Sequence, residues 1–296
     1  MDHDRLFKEL LSTFFIEFLE LFFPSVAALI DRSVAPVFLD KETFGEGRRQ
    51  ADLVVQVRVA GQDTAFLVHL EPQAQPIENF PEKMFGYFVR FWERYGLRIY
   101  PIAIFSYGSR TEHEGELEMR FPDLAVLNFR YARLELPRLD WRAFVEQANP
   151  VASALMARMR IRKQDRPRVK LQCLRLLASL RLEPSKSALI SHFVDSYLQL
   201  EADEVRVFEK ILETIPEGEQ GGIMRITTSW KEEGRVEGLQ EGRVEGLRDG
   251  VGLALELKFG PKSAPLVERI RSFDLDALQT LQERLRDGAT LEELLG

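Results

Sequence analysis

The chain has 296 residues, 45% of them apolar, and a formal net charge of −7. That apolar content supports a packed core and argues against general disorder, and the length suits one large domain or two moderate ones. The acidic total argues against nucleic-acid binding through bulk charge, so any such contact must come from local basic patches.

Residues 4–22 read as an amphipathic helix, with Leu6, Leu10, Phe14, Phe18 and Leu21 at helical spacing and Pro24 breaking or restarting it. Acids at positions 2, 4 and 9 leave the start without the basic residues of a signal peptide. Glu17, Glu20 and Pro24 interrupt the long apolar stretch 14–30, so no membrane span is expected. Val34–Leu39 reads as a short first strand, followed by a loop lead-in whose Gly45 and Gly47 give turn freedom.

The next segment, RRQADLVVQVRVAGQDTAFLVHLEPQ from Arg48 to Gln73, reads as a hairpin. Leu53–Val59 and Thr64–Leu70 have the composition and length of strands, and Ala60-Gly61-Gln62-Asp63 is a turn cluster. A turn centred between Gly61 and Gln62 sets Asp52 opposite Glu71, and Gln73, two residues on, faces the same way. A slip of one residue would send Asp52 to the other face. Two acids beside a core can hold a hard divalent cation such as Mg²⁺, which keeps waters and accepts phosphate oxygens. Arg48 and Arg49, just before Asp52, are either phosphate contacts or an ordinary exposed pair. Pro72 has no N–H to donate, which points to a strand end or an unpaired edge.

The order Asp52, about twenty residues, then Glu71-x-Gln73 is similar to the active-site pattern of the PD-(D/E)xK nuclease superfamily. More narrowly, the chain resembles the YhgA-like putative transposases, or recombination-promoting nucleases. The matching stretches are Asp4–Leu11 and Glu17–Pro24, Arg49-x-x-Asp52, and His69-Leu70-Glu71-Pro72-Gln73. The resemblance covers roughly residues 4–130, and the C-terminal end resembles an uncharacterised domain often appended to this family. It implies a restriction-endonuclease-like α/β core and a Mg²⁺- or Mn²⁺-dependent DNA endonuclease linked to recombination or mobile elements. Asp52 and Glu71 would bind metal and Gln73 would orient the attacking water. Glu17 is the candidate for the glutamate that the superfamily's first helix can lend to the metal. The superfamily's usual lysine is replaced by Gln73, which can orient water but brings no charge.

Residues 77–95 read as a helix with Ile77, Phe80, Met84, Tyr87, Phe88, Phe91 and Trp92 on an apolar side and Arg90, Arg94 and Arg98 on another. Ile99–Tyr107 is a buried strand, Gly108–Glu118 a charged loop and Leu124–Tyr131 a further strand. From Trp141 to about Thr214 the pattern is helical, with Asp140 a plausible N-cap for a helix over Ala143–Arg160. Cys173, the single cysteine, excludes an internal disulfide and reads as a small buried residue of a leucine-rich helix; a reducing cytoplasm fits. Arg158, Arg160, Arg162, Lys163, Arg166, Arg168 and Lys170 form a basic block that is either a nucleic-acid backbone contact or a solvated face. The four histidines, at positions 3, 69, 113 and 192, show no zinc spacing.

Glu217–Gly222 reads as a linker. Beyond it glycines recur at 234, 238, 242, 246 and 250, a pattern that suits either a helix stabilised by self-association or a charged tether. Four short segments from Leu253 to Leu295 form a helical module suited to partner binding or dimer formation. The expected organisation is a core over 1–140, a helical extension over 141–222, the repeat over 223–252 and the module over 253–296. Two rival readings share this sequence: a nuclease fold kept as a binding or scaffolding protein, and a nuclease acting on RNA.

Overall fold

The computed structural model describes residues 3–39, 53–108, 113 and 115–295, with the side chains of 3–4, 227–241, 292 and 295 left out. The chain divides into two compact units, Met1–Thr227 and Thr228–Gly296.

The first unit opens with α1 (His3–Thr13), α2 (Phe15–Phe22) and α3 (Pro24–Ala27). The single helix expected over 4–22 is divided at Phe14, which leaves helical geometry at φ −122° and ψ 40°. The strands are β1 (Val37–Leu39), β2 (Leu53–Arg58), β3 (Ala65–Gln73), then helix α4 (Phe80–Tyr95), β4 (Arg98–Phe105), β5 (Glu116–Phe121), β6 (Leu124–Arg130) and β7 (Ala132–Glu135). Five of them form a mixed sheet in the order β1-β2-β3-β4-β7. The β2–β3 pairing runs from Leu53↔Leu70 to Arg58↔Ala65, the register that a turn centred between Gly61 and Gln62 produces. Gly61 takes φ +70° in that turn, where a side chain would be strained. Strands β3 and β4 are parallel, joined by α4, and β4 is parallel to β7.

β3 is the middle strand and is buried on both faces almost throughout, so its sequence is a near-continuous apolar run and not an alternation. Pro72 sits inside it. The Gln73 carbonyl accepts from Ser106 N beside β4. Because successive residues address opposite neighbours, the missing Pro72 donor faces the β2 side, where the described ladder has already ended at Leu70.

One sheet face carries Val55, Val57, Val68, Leu70, Ile102, Ile104 and Leu134 and is covered by α1–α3 together with α5 (Pro150–Leu155), α6 (Arg166–Leu180) and α7 (Pro184–Tyr197). The other carries Val54, Leu67, Ala103 and Phe105 and is covered by α4 and the β5–β6 hairpin. Tyr87 and Phe91, with Phe80 and Met84, form the buried stripe of α4, and the helix ends at Gly96, whose N–H reaches Trp92 O at φ +62°. Trp92 lies outside that stripe and is 59% exposed; Ile77 precedes the helix. The loop expected over Gly108–Glu118 yields to β5 at Glu116, and β7 is an additional strand. Asp140 caps a single 3-10 turn, accepting from Arg142 N, while the helix itself starts at Pro150 behind the Asn149 cap. After α8 (Ala202–Leu212), the glycine-rich Glu217–Gly222 opens helix α9 (Glu217–Phe259) instead of forming a linker.

In the second unit the end of α9 packs with α10 (Ala264–Arg269), α11 (Leu275–Arg286) and α12 (Leu291–Leu295) around Val251, Leu255, Leu266, Ile270, Leu278, Leu281 and Leu294. No helix among the described residues is long and apolar enough to cross a membrane.

Candidate functional site

The end of β3 gathers buried polar side chains, including Glu71 and Gln73 of the hairpin reading. His69, Glu71 and Gln73 are all buried and, being two residues apart on one strand, share the sheet face that α4 covers. Glu71 is 1% exposed. An isolated carboxylate in that position would be costly, so its partners decide its state. Lys83 Nζ lies 2.6 Å from Glu71 Oε1, and Gln73 Nε2 donates to the same oxygen at 3.2 Å and to Pro72 O at 2.9 Å. His69 Nε2 stands 3.4 Å from Glu71 Oε2, within ion-pair reach but not aligned as a hydrogen bond. Burial works to raise the Glu71 carboxyl, but the His69 ring and the Lys83 ammonium outweigh it and hold the group below the usual carboxylate range.

Lys83 comes from the first turns of α4. It follows Phe80 by three residues and precedes Tyr87 by four, so helical spacing sets its stem against both rings, with Nζ 5.9 Å and 5.7 Å from their centres. Its side chain is 18% exposed, open on one side while its charge meets Glu71. The His69 ring is held edge-on between Tyr87 and Phe91 at 5.3 Å and 5.2 Å. Sequence reasoning missed Lys83. The signal was a lysine in register with an apolar helix stripe, in the first turn of the helix that follows the strand carrying Glu71.

Asp52, Arg48 and Arg49 lie outside the described residues, so the expected meeting of Asp52 with Glu71 rests on the register of 53–58 against 65–70. Glu17 is not brought to this cluster by any described contact. Its helix α2 belongs to the core on the opposite sheet face, and its main-chain carbonyl accepts from Asn149 Nδ2 at 2.9 Å. Among the described residues no three His, Cys, Asp or Glu side chains gather as a metal site would. Among the described residues of this cluster, Glu71 is the one that offers a hard anionic oxygen of the kind Mg²⁺ selects.

The basic block is largely paired. Lys163 meets Glu201 at 3.6 Å, Arg166 meets Glu204 at 2.9 Å, and Lys170 pairs with Asp195. Arg160 is exposed, 3.9 Å from Asp140, while Arg162 is exposed with no ion pair among the described residues. Arg158 is different. It packs 4.7 Å over the Tyr197 ring and donates to Ser106 O, and the Ser106 hydroxyl donates in turn to Gln73 O at 3.1 Å. It therefore supports the strand end from behind. Cys173 is fully buried, and burial pushes its thiol up to about 12, so it is inert at neutral pH.

What these parts define is a class: an α/β protein with a mixed sheet and a buried Glu–Lys–Gln–His cluster at the end of its central strand. No protein-family model, curated protein or solved structure matches the chain.

Proposed function

We propose that the chain is a metal-dependent nuclease acting on DNA, on a restriction-endonuclease-like core, with its centre at the end of β3. The observation that carries this reading is the ion pair of buried Glu71 with Lys83, beside Gln73, where the sequence alone offered an acid and an amide without a cation. Asp52 and Glu71 would hold Mg²⁺ or Mn²⁺, which supplies Lewis acidity and an acidified water. Gln73 orients that water through its amide. Lys83 contributes the positive charge that Gln73 lacks, placed to meet charge building on the phosphorus oxygens. Arg48, Arg49, Arg160 and Arg162 remain the backbone contacts of this reading. A second reading, a nuclease fold kept for binding, is favoured by the same pair, because an ammonium 2.6 Å from Glu71 can neutralise it without any metal.

The test is cleavage of supercoiled plasmid, with matched RNA alongside, in Mg²⁺ or Mn²⁺ by wild type, Glu71→Gln and Lys83→Gln, each verified folded by circular dichroism. Cutting that drops roughly 100-fold or more in both variants supports the centre. Equal traces of cutting in all three, or none under any metal, move the binding reading ahead. Preference for the matched RNA would change the substrate.

A further inference from the structure

His69 is 0% exposed, yet both of its ring nitrogens are without a hydrogen bond among the described residues. A buried polar atom left unpaired costs free energy, so each such atom calls for a reason. Packing does not supply one. The ring lies edge-on between Tyr87 and Phe91 of α4, and its strand neighbours are Val54 on β2 and Pro101 on β4. A phenylalanine would fill that apolar setting at less cost than an imidazole does. What sets this imidazole apart is its place beside Glu71, on the same face of β3.

Nε2 stands 3.4 Å from Glu71 Oε2, out of alignment for a hydrogen bond. An N–H···O bond is usually about 2.9–3.0 Å long. Two donors that share one metal are spaced differently. With bonds of about 2.0–2.1 Å and angles between octahedral and tetrahedral, they lie about 2.9–3.4 Å apart. No hydrogen bond fixes the tautomer of His69, so Nε2 is able to present its lone pair. A cation already stands at this carboxylate: Lys83 Nζ is 2.6 Å from Oε1, on a side chain that is 18% exposed and so has a way out to solvent. A divalent ion about 2.1 Å from a carboxylate oxygen takes less room than that ammonium. The donor chemistry then selects the ion. Mg²⁺ takes oxygen ligands and dehydrates reluctantly, whereas imidazole suits transition metals.

We propose that His69 is a metal ligand: its Nε2 and Glu71 Oε2 hold one transition-metal ion in preference to Mg²⁺. This deepens the nuclease reading and rests on it for the presence of a metal at Glu71. Two protein donors leave most coordination positions open, and these fall to Asp52, water and phosphate oxygens. The ion takes the place of the Lys83 ammonium against Glu71, which releases that charge toward the substrate phosphate.

Mn²⁺ is the probe, because electron paramagnetic resonance separates its bound from its free form and a coordinated imidazole leaves a nitrogen modulation on the bound signal. The full chain is titrated with Mn²⁺ in the absence of nucleic acid as wild type, His69→Phe, His69→Gln and Glu71→Gln, each verified folded by circular dichroism, and Mg²⁺ is then added as competitor. Wild type is expected to show the nitrogen modulation and to keep its Mn²⁺ against equimolar Mg²⁺. Both His69 variants are expected to lose the modulation and to bind Mn²⁺ about tenfold more weakly or worse. Bound Mn²⁺ without nitrogen modulation, His69 variants with the wild-type Kd, or displacement by equimolar Mg²⁺ overturns the proposal. If Glu71→Gln still abolishes binding in those cases, the metal centre of the nuclease reading survives without His69. A wild type that binds no Mn²⁺ overturns both.

Discussion

Lys83 and Glu71 are one unit. Each covers a charge that the interior would otherwise penalise, so removing one partner leaves the other exposed to that penalty. Lys83→Met should lower stability by about 3 kcal/mol at neutral pH, read from urea unfolding, and the double variant Lys83→Met with Glu71→Gln should recover much of the loss. Equal losses in the single and double variants would mean that the pair is not coupled. The acid side follows from the depressed Glu71 carboxyl. Its stabilising effect is complete above the ordinary value of 4.5 and is lost as pH falls through the lower folded value. Glu71→Gln should therefore flatten the fall of Tm below about pH 4.5. The role of Gln73 as an amide near an acid was legible from its place two residues after Glu71. That of Lys83 was not, because the contact crosses a loop and depends on how α4 lies on the sheet.

At the scale of elements, β3 and α4 behaved differently under sequence reading. The register of β2 with β3 followed from turn residues and strand composition, which are local. α4 was recognisable from its stripe, yet the assignment of Trp92 to that stripe was wrong. Its position, one residue past buried Phe91, carries it around to solvent. The helical state of Glu217–Gly222 went against its glycine content, since Gly222 and Ile223 pack on α6 through Ala178, Leu171 and Leu174. Packing thus overrode propensity. Farther along α9, a Cβ at Gly242, Gly246 or Gly250 would meet open space. Gly246→Ala and Gly250→Ala should each stabilise the helix by about 1 kcal/mol, measured by thermal melting. A drop in Tm instead would indicate that a second helix packs on this stripe.

At the scale of the molecule, each unit has its own core, and the second is small. Leu278 is fully buried there among Val251, Leu255 and Leu266. Leu278→Ala should cost about 3 kcal/mol, and hydrogen exchange should quicken in 253–295 while the amides of β3 and β4 keep their protection. Faster exchange throughout would show that the units unfold together. Composition and periodicity by themselves determined that this is an α/β chain with a hairpin over 53–70, a βαβ step into Arg98–Phe105 and a helical C-terminal end, because those features repeat within a few residues and follow from burial. Only the tertiary structure decided which charges meet. Lys83 reaches Glu71 across twelve residues, Glu135 receives His113 across 22, and Lys163, Arg166 and Lys170 pair with acids from other elements. The reason is physical: a local pattern records which way a side chain faces, whereas a charge partner is set by the distance between surfaces that folding brings together.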